Sequence, residues 1–567
     1  MKTLATFLRD AYERKPEGVA ITIQRADQPD YHITHRELME RSNDYALAYA
    51  REGVEPGDVV ILILQHGQEI VYSFWGAILL GAVPSIMPFP TEKVTPDRYV
   101  ADMQALFSLC RPAAVVTSTA FEPICQRLVS ESSQDGNSRV VVVERLAQQE
   151  RFNPSALPGA NRQEADIALL QHSSGSTGLK KGVALSHRAI YNSVDAWAEH
   201  LALTPNDVFV SWAPLYHDMG LIASFLLPML HGVHTVLLSP FEWVREPWRL
   251  LRTLSDYRGT LSIQPNFAYN FCANKIRERD IEGVDLSSLR VIINGSEPVY
   301  FKSHQIFYER FKSYGFRLEA LKTAYGMAEN VLIATQTGLD EMPTVENIDL
   351  EAYTSEHVAR PAIPGRPSMQ MMSSGRALPH VTMRIVDANG NTLPDRHVGD
   401  IVLKSNCMLN EYYNRPDLTE EAFLPGGWYI SGDYGYMDNG ELFVSGRKSD
   451  RIIVAGKIVY PQDLEMLASE VAGVRPGRVG AISIYDESQG TELAVILAEV
   501  DTTDQDEQEH IADEIRDYVT ANSAVTIRHV QIVERGWILK SSAGKIARSA
   551  NKEKYIKEFL GGQEGLV

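Results

Sequence analysis

The sequence contains few cysteines, and their spacing does not suit metal ligands or a redox pair. Only four occur among 567 residues, with no Cys-x-x-Cys pair and no neighbouring His-x-x-x-His. This scarcity argues against a zinc site and against a disulfide-stabilised extracellular scaffold. We therefore expect buried or partly buried thiols in a cytoplasmic protein, at Cys110, Cys125, Cys272 and Cys407.

Positive charge is also scarce. Lysine and arginine total 54 against 73 aspartates and glutamates, which gives a net charge of −19. An acidic chain without a long basic run has little affinity for nucleic acid or for an anionic membrane surface. We therefore expect no nucleic-acid partner.

Long apolar segments are lacking as well. The first 20 residues have no apolar signal core, and the apolar residues between Leu4 and Tyr12 recur at helical spacing. That pattern predicts a surface helix rather than a signal peptide. The one long uncharged stretch, 71–90, is interrupted by Gly81 and Pro84, which predicts a buried helix followed by a short strand. These features predict no integral membrane association.

The first 340 residues alternate between strand and helix patterns. Amphipathic helical segments lie between short β-branched runs, which is typical of parallel sheets with helices on their faces. The strand-like runs are 59–64, 113–118, 140–144, 208–214, 234–239 and 291–294. The helical segments include 66–80, 187–201 and 302–315.

The pattern changes twice towards the C-terminus. From about residue 380, strands separated by Asn-Gly and Gly-Gly turns predict a small antiparallel β unit. After Arg447, strands alternate with helices at 461–472 and 505–522, which predicts a compact α+β domain. The predicted fold is therefore α/β. Residues 1–446 form a large domain with two parallel subdomains and the β unit, and residues 447–567 form a small mobile domain.

A glycine- and hydroxyl-rich segment, SSGSTG, precedes two lysines. Its glycines tolerate backbone conformations that turn successive N–H groups inward, and such a nest binds phosphate oxygens. The segment lacks the Ser or Thr after lysine that defines a P-loop. By itself it fits a flexible turn as well as a phosphate site. Its candidate phosphate ligands are Ser173, Ser174, Gly175, Ser176, Thr177, Gly178 and either Lys180 or Lys181, with Lys181 preferred.

Together with motifs further along the chain, this segment resembles the adenylate-forming superfamily of acyl-CoA synthetases, peptide-synthetase adenylation domains and luciferases. The matching segments occur in the family's order over roughly 500 residues. They are INGSEPV (293–299), TAYGMAEN (323–330), WYISGDYG (428–435), the hinge region SGRKSDRIIVAGKIVYPQDLE (445–465) and KSSAGKIARS (540–549).

The resemblance implies a role for individual residues. Lys545 would be the catalytic lysine, delivered by the mobile domain, and Glu329 with Thr177 would hold Mg²⁺ against the phosphates of ATP. Asp433 would bind the ribose hydroxyls with help from Arg447. The adenine would contact Asn294, Gly295, Ser296, Tyr325, Gly326 and Met327.

Within the superfamily the chain is most similar to the fatty acyl-AMP ligases. The similarity lies in WAPLYHDMGLI (212–222), QPNFAYNF (264–271) and an extra segment at 340–370. This resemblance implies ATP-dependent activation of a fatty acid to an acyl-adenylate, followed by acyl transfer to the phosphopantetheine thiol of an acyl carrier protein. In the family, the extra segment is thought to restrict domain movement and so disfavour coenzyme A.

The chemistry needs no protein nucleophile, because the substrate carboxylate attacks the α-phosphorus itself. The enzyme must position two anions and neutralise their charge. His217 then fits a lid between the acyl and nucleotide pockets, whereas Asp218 could instead meet a substrate ammonium. The apolar acyl contacts are predicted at Ile222, Met229, Phe267 and Tyr269, and each of these also fits simple core packing.

Three other functions stay open at this point. The protein could be an acyl-CoA synthetase, an amino-acid-adenylating enzyme that uses Asp218, or a catalytically silent scaffold. Three positions also depart from the family pattern. Lys180 replaces a usual proline, Asp400 replaces a glutamate, and Ser449 replaces an aspartate or lysine at the hinge. These departures affect domain motion more than adenylation.

Overall fold

The computed structural model describes residues 3–91, 95–132, 138–146, 158–174, 180–454, 456–486, 491–540 and 544–561. The chain divides into two compact units. The first comprises Met1–Pro343, Ser374–Thr382 and Lys404–Gly427, and the second comprises Thr344–Ser373, Met383–Leu403 and Trp428–Val567. The second unit thus contains antiparallel strands before residue 447, and the movable boundary at 446/447 stays a prediction.

Up to residue 146 the elements are α1 (Leu4–Arg14), β1 (Val19–Ile23), β2 (Tyr31–Thr34), α2 (His35–Arg51), β3 (Val59–Ile63), α3 (Gln68–Leu80), β4 (Val83–Ile86), α4 (Pro96–Cys110), β5 (Ala114–Thr117), α5 (Glu122–Ser132) and β6 (Arg139–Val142). The predicted surface helix is α1. The uncharged stretch 71–90 forms most of α3 and then β4, as its glycine and proline predict.

From residue 158 to 343 the elements are β7 (Ile167–Ser174), β8 (Lys180–Ser186), α6 (His187–His200), β9 (Val208–Ser211), a π-helix (Met219–Leu226), α7 (Leu227–Leu230), β10 (His234–Leu237), α8 (Pro240–Arg245), α9 (Trp248–Asp256), β11 (Leu261–Gln264), α10 (Asn266–Lys275), β12 (Val291–Asn294), α11 (Phe301–Phe311), β13 (Leu321–Gly326) and β14 (Ile333–Gln336).

The remaining elements are β15 (Val345–Asp349), a short π-helix (Ala352–Glu356), β16 (Ser368–Met372), β17 (Arg376–Ala377), β18 (Thr382–Val386), β19 (Gly399–Lys404), β20 (Glu411–Tyr412), α12 (Pro416–Glu421), β21 (Phe423–Leu424), β22 (Trp428–Asp438), β23 (Glu441–Arg447), β24 (Ile452–Val454), β25 (Lys457–Val459), α13 (Pro461–Ala468), β26 (Val474–Asp486), β27 (Thr491–Val500), α14 (Gln505–Asn522), β28 (His529–Val533) and α15 (Arg548–Phe559).

Two parallel sheets dominate the first unit, which confirms the predicted α/β class. One has the strand order β4-β3-β5-β6, and the other contains the parallel run β1-β10-β9-β11-β12-β13 with antiparallel strands at both ends. Every residue of β3, β11 and β12 is buried. Helices cover both faces of such strands, so continuous apolar runs are stable there. The carboxyl ends of β11, β12 and β13 are therefore fixed by a packed core.

The second unit contains the predicted antiparallel strands and a C-terminal α+β region. Strands β19, β22 and β23 pair antiparallel, and β27 pairs antiparallel with β26 and parallel with β28. Alternation along β27 sends Ile496 to a core with α13 and α14, and sends Val495 and Leu497 to a core with Tyr555 of α15. Both faces of this small sheet are thus covered by helices.

Helix α13 ends before the predicted end at residue 472. It stops at Ala468, where the N–H of Glu470 donates to Leu467 O in a tighter turn. Gly473 follows at φ +84°, a conformation that β-carbon-bearing residues rarely adopt. Helical periodicity continued past the true end because Val471 is buried in the same core.

The segment predicted as an insertion forms an antiparallel hairpin, β15 with β16, and the π-helix lies between the two strands. Arg396 anchors it through ion pairs to Glu346 (2.6 Å) and Asp438 (2.5 Å). The Tyr436 hydroxyl also donates to Glu346 (2.7 Å). The segment is therefore a structured part of the second unit.

All four cysteines are buried thiols, as expected. Burial raises the pKa of Cys110 and of Cys407 to about 12, so both stay protonated. Across the described ranges, no helix combines the length and the apolar character needed to cross a membrane.

Candidate active site

The glycine- and hydroxyl-rich segment joins two antiparallel strands. Ser173 and Ser174 end β7, and their register partners are Lys181 and Lys180 at the start of β8. The predicted ligands Gly175, Ser176, Thr177 and Gly178 lie outside the described residues.

Strand β8 brings Lys181 to an acidic partner through a tyrosine. The ammonium of Lys181 lies 4.7 Å from the ring centroid of Tyr412, a cation–π contact. The hydroxyl of Tyr412 donates to Oε1 of Glu329 at 2.9 Å. Tyr412 stands on β20, which pairs antiparallel with β8. One aromatic side chain therefore positions both an ammonium and a carboxylate next to the strands that carry the loop.

Glu329 is held firmly. It lies in a short 3₁₀ turn after β13, its side chain is buried, and its backbone oxygen accepts the N–H of Leu409 at 2.7 Å. A carboxylate oxygen is a ligand that suits a hard divalent cation. Within the described residues, no cluster of three or more His, Cys, Asp or Glu side chains could hold a metal by itself. A cation at Glu329 would therefore take most of its ligands from phosphates and water, as Mg²⁺ does with nucleotides.

The two predicted adenine segments begin within neighbouring parallel strands, β12 and β13, with Asn294 opposite Thr323. The Asn294 amide is fully buried and donates to Asn266 Oδ1 at 2.9 Å, with His304 Nε2 at 3.0 Å. Burial lowers the pKa of His304 to about 3, so this histidine is neutral. Asn294 thus shapes the strand end from within the core, and a base would reach this segment through the backbone.

Glycine is needed where these segments turn. A β-carbon on Gly326 would lie 1.9 Å from the backbone oxygen of Leu332, so no other residue fits. At Gly295 it would lie 2.8 Å from the backbone oxygen of Ala324. Tyr325 and Met327, on either side of Gly326, are both buried. The neighbouring backbone therefore requires glycine at both positions.

In the second unit, Asp433 and Arg447 face each other across β22 and β23. Arg447 Nε lies 3.0 Å from Asp433 Oδ1, and the N–H of Asp433 donates to Ser431 Oγ at 3.1 Å. The Asp433 side chain is 10% exposed and that of Arg447 is 54% exposed. The carboxylate is thus fixed in position while its cationic partner reaches solvent.

His217 and Asp218 form a close pair at the start of the π-helix. Nδ1 of His217 lies 2.6 Å from Oδ1 of Asp218, and the N–H of Met219 donates to the same oxygen at 2.7 Å. The carboxylate therefore caps the helix and binds its neighbouring ring. π-Helical turns are rare and often occur at functional sites.

The predicted acyl-contact residues are placed unequally. Phe267 is partly buried beside Trp212 and Trp243, which are stacked with centroids 3.6 Å apart. Tyr269 is fully buried against His304 and Phe307. Ile222 is also fully buried, and Met229 is 5% exposed. Phe267 lies nearest a surface, whereas Ile222 and Tyr269 are integral to the core.

Lys545 is carried by a loop that leads into α15. The preceding residue, Gly544, has φ +81°, in the left-handed region that favours glycine. Ile546 then packs against the apolar core beneath α15. The lysine thus lies between an exposed glycine and a partly buried isoleucine.

Two of the departures from the family pattern concern residues around one ion pair. The ammonium of Lys448 lies 2.9 Å from one oxygen of Asp400 and 3.0 Å from the other. Lys448 directly precedes Ser449, the residue predicted to lie at the hinge. Neither this pair nor the Tyr412 contact could be predicted from the sequence, because nothing in local spacing links residues so far apart in the chain.

Comparison with known proteins agrees with this architecture. Residues 8–413 match the family model described as AMP-binding enzyme. The chain is 31% identical to the long-chain-fatty-acid–AMP ligase FadD32 of Mycobacterium marinum, over 90% of this chain and 87% of that protein. It is 28% identical to JamA of Moorena producens, named a medium-chain-fatty-acid–[acyl-carrier-protein] ligase, over 96% and 93% of the two chains.

A solved structure from a study of fatty acyl-adenylate ligases from E. coli and L. pneumophila superposes with a TM-score of 0.88. It is 26% identical, and the match covers 99% of both chains. The chain therefore belongs to the AMP-binding enzyme family, and within it to the fatty acyl-AMP ligases. The predicted family and the predicted fold class are both confirmed.

Proposed function

We propose that this enzyme activates a fatty acid with ATP and passes the acyl group to a carrier protein. The carboxylate oxygen attacks the α-phosphorus of ATP, the bond to the β-phosphate oxygen breaks, and acyl-adenylate and pyrophosphate form. The name of FadD32 specifies a long-chain fatty acid and AMP, and the name of JamA specifies a medium-chain fatty acid and an acyl carrier protein. Each match covers most of both chains, so these names support a fatty acid as the substrate of this enzyme.

The contact of Lys181, Tyr412 and Glu329 is the observation that carries the proposal. It places one cation and one carboxylate beside the strands that hold the glycine- and hydroxyl-rich loop. A polyphosphate needs these two groups, because the ammonium neutralises its charge and the carboxylate holds its metal. Backbone and hydroxyl groups of Ser173–Gly178 would bind the phosphate oxygens.

Mg²⁺ would be held by Glu329, with Thr177 as the second candidate ligand. When bound, it would offset the charge that builds up on the departing pyrophosphate. Tyr412 orients the carboxylate for this role through its hydroxyl. Asn294, Gly295, Ser296, Tyr325, Gly326 and Met327 are proposed to surround the adenine, and Asp433 with Arg447 to bind the ribose.

Lys545 is proposed as the catalytic cation, which bridges the fatty acid carboxylate and the α-phosphate. Its place on a turn after Gly544 suits a group that enters the reaction only when a mobile region closes. His217 is proposed as the lid between the two pockets. Phe267 is the best-supported acyl contact, since it is partly buried beside two tryptophans.

The acceptor is proposed to be the phosphopantetheine thiol of an acyl carrier protein. The thiol sulfur attacks the acyl carbonyl, a thioester forms, and AMP leaves. The hairpin at 344–373 supports this choice over coenzyme A. Its Tyr353 is buried and donates to Ser445 Oγ at 2.5 Å, at the start of the predicted hinge region, and Gln462 donates to Ser445 O at 2.9 Å. Thiols kept reduced and a carrier-protein partner fit a cytoplasmic enzyme.

A competition between acceptors tests this proposal. The enzyme is incubated with a fatty acid, ATP and Mg²⁺, and then with holo-carrier protein, coenzyme A or, as a control, apo-carrier protein without a thiol. Mass spectrometry should show acylated holo-carrier protein and little acyl-coenzyme A. Efficient formation of acyl-coenzyme A would contradict the acceptor assignment, and the absence of acyl-adenylate with every acid would favour a catalytically silent scaffold.

The amino-acid alternative is disfavoured by the contacts of Asp218. Its carboxylate already accepts the N–H of Met219 and contacts His217. A substrate ammonium would have to displace these partners. A panel of fatty acids and amino acids in a pyrophosphate-release assay separates the two functions, and preferential release with amino acids would overturn the fatty acid assignment.

A further inference from the structure

A buried asparagine of α15 closes the loop that carries Lys545. Asn551, on the first turn of α15, is 0% exposed. Its Oδ1 accepts the N–H of Leu539 at 2.8 Å. Its Nδ2 donates to Leu539 O and to Ala547 O, both at 2.9 Å. One amide therefore binds the backbone on both sides of the loop, at residues 539 and 547.

Backbone contacts complete the closure. The N–H of Ala547 donates to Leu539 O at 3.0 Å, and Lys540 and Ile546 form an isolated antiparallel β-bridge. Lys545 lies two residues from Ala547, inside the closed loop. A shift of Ala547 would therefore be passed on to the lysine through two residues of backbone.

A second side chain of α15 fixes the same loop from outside. Arg548 binds Asp450, in the predicted hinge region, at 3.0 Å, and Glu465 of α13 at 2.8 Å. Glu465 in turn accepts the N–H of Ala481 at 3.0 Å. Arg548 thus connects the start of α15 to two other elements. The hydrogen bonds of the Asn551 side chain go instead to the backbone at the two ends of the loop.

We propose that Asn551 is a positioning residue for Lys545: by joining Leu539 to Ala547, it fixes where the lysine ammonium can reach. This proposal rests on the proposed function of Lys545. A displaced catalytic group can cost about a hundredfold in rate for a misplacement of about 1 Å, so the effect of losing this clamp is measurable. Adenylation should lose turnover, and ATP affinity should be preserved because other residues bind the nucleotide.

The test uses the full-length chain with Asn551→Leu, which keeps a similar size and removes all three hydrogen bonds. Steady-state ATP–pyrophosphate exchange should show kcat lower by about tenfold or more, with KM for ATP changed by less than about twofold. A loss of kcat below about threefold would overturn the proposal. If this variant does not fold, Asn551→Asp, which keeps the acceptor and removes the donors, is held to the same criteria.

A double-mutant comparison separates positioning from general stability. In the background Lys545→Ala, Asn551→Leu should reduce the residual exchange rate no further, because its partner in catalysis is already gone. An equal loss in both backgrounds would overturn the proposal. If Lys545→Ala itself leaves the rate unchanged, the catalytic assignment fails together with the inference. If only Asn551→Leu leaves it unchanged, the inference fails alone.

Val519→Ala is the matched stability control. Val519 is a residue of α14 and is fully buried. The core that contains it is distinct from the core beneath the loop. Its truncation should lower the melting temperature as a core cavity does. At temperatures well below both melting transitions, kcat should stay at the parent value for Val519→Ala and fall for Asn551→Leu. A parallel fall in both variants would show that stability, and not positioning, sets the rate.

Discussion

Glu329 and Lys545 are the two charged groups on which the proposed reaction most depends, and the chain holds them in different ways. Glu329 follows a strand of a sheet whose core is buried on both faces, and a tyrosine hydroxyl from another strand fixes its carboxylate. Lys545 stands on a loop after a glycine in the left-handed region, and a buried amide ties the two sides of that loop together.

The difference fits two tasks. A group that binds metal and nucleotide is most effective when it is already in place, so a packed strand end suits it. A group that must arrive after the substrates needs a carrier that can move while its own geometry stays fixed. The comparison predicts that changes near Glu329 alter binding constants, and that changes near Lys545 alter turnover.

The largest effect is expected from Lys545→Ala. Loss of one preorganised charge-stabilising group should lower kcat of ATP–pyrophosphate exchange by at least about a hundredfold, with little change in KM for ATP. Lys540→Ala is the matched control on the same loop and should stay within a few-fold of the parent. A loss under about tenfold for Lys545→Ala, or a change confined to KM, would contradict the expectation that changes near Lys545 alter turnover, and would make Lys540 the next candidate.

An intermediate effect is expected from Tyr412→Phe. The variant keeps the ring beneath Lys181 and removes the hydroxyl that donates to Glu329, a hydrogen bond that contributes about 1 kcal/mol. The Mg²⁺ concentration for half-maximal exchange should therefore rise by about fivefold, with kcat at saturating Mg²⁺ nearly unchanged. Glu329→Gln should raise it further.

Tyr436→Phe is the control for that measurement. Its hydroxyl also donates to a glutamate, Glu346, at 2.7 Å, but in the hairpin region of the second unit. It should leave the Mg²⁺ dependence unchanged. Equal Mg²⁺ responses of the two phenylalanine variants would contradict a specific role for Tyr412.

The third effect concerns the acid stability of the first unit. Burial lowers the pKa of His187 to about 4 and that of His304 to about 3, and both belong to the first unit. His187 Nδ1 also accepts the N–H of Leu4 at 3.2 Å, which a protonated ring cannot do. Below a pH of about 6.5 the unfolded chain binds protons that the folded chain does not. The free energy of unfolding therefore decreases as the pH is lowered, by roughly 1.4 kcal/mol per pH unit for each histidine.

Thermal unfolding between pH 7 and pH 5 checks this expectation. The melting temperature should decrease by several degrees, and His187→Asn, whose amide oxygen can still accept the N–H of Leu4, should reduce the slope. Hydrogen-exchange protection factors, which are corrected for the slower intrinsic exchange at pH 5, should decrease in peptides of the first unit around these histidines. A melting temperature that does not depend on pH in this range would contradict the prediction.

Much of the fold could be predicted from local patterns. Runs such as 59–64 and 291–294 are apolar on both faces, and only a covered parallel sheet buries both faces of a strand. The predicted length of α13 was wrong, because Val471 continues the apolar pattern after the helix has ended at Ala468. An apolar repeat indicates which residues are buried, and residues beyond the end of a helix can be buried as well.

The family could be predicted from the sequence alone, because motifs that resemble those of adenylate-forming enzymes occur in the family's order along the chain. The sequence also determined which strands are buried, because apolar periodicity is a local property. Only the tertiary structure decided that Tyr412 orients Glu329 across 83 residues, that Lys448 pairs with Asp400, and that Asn551 closes the loop of Lys545. These contacts depend on how strands pair and helices pack over long distances, and hydrogen-bonding side chains leave no periodic trace from which such pairings could be read.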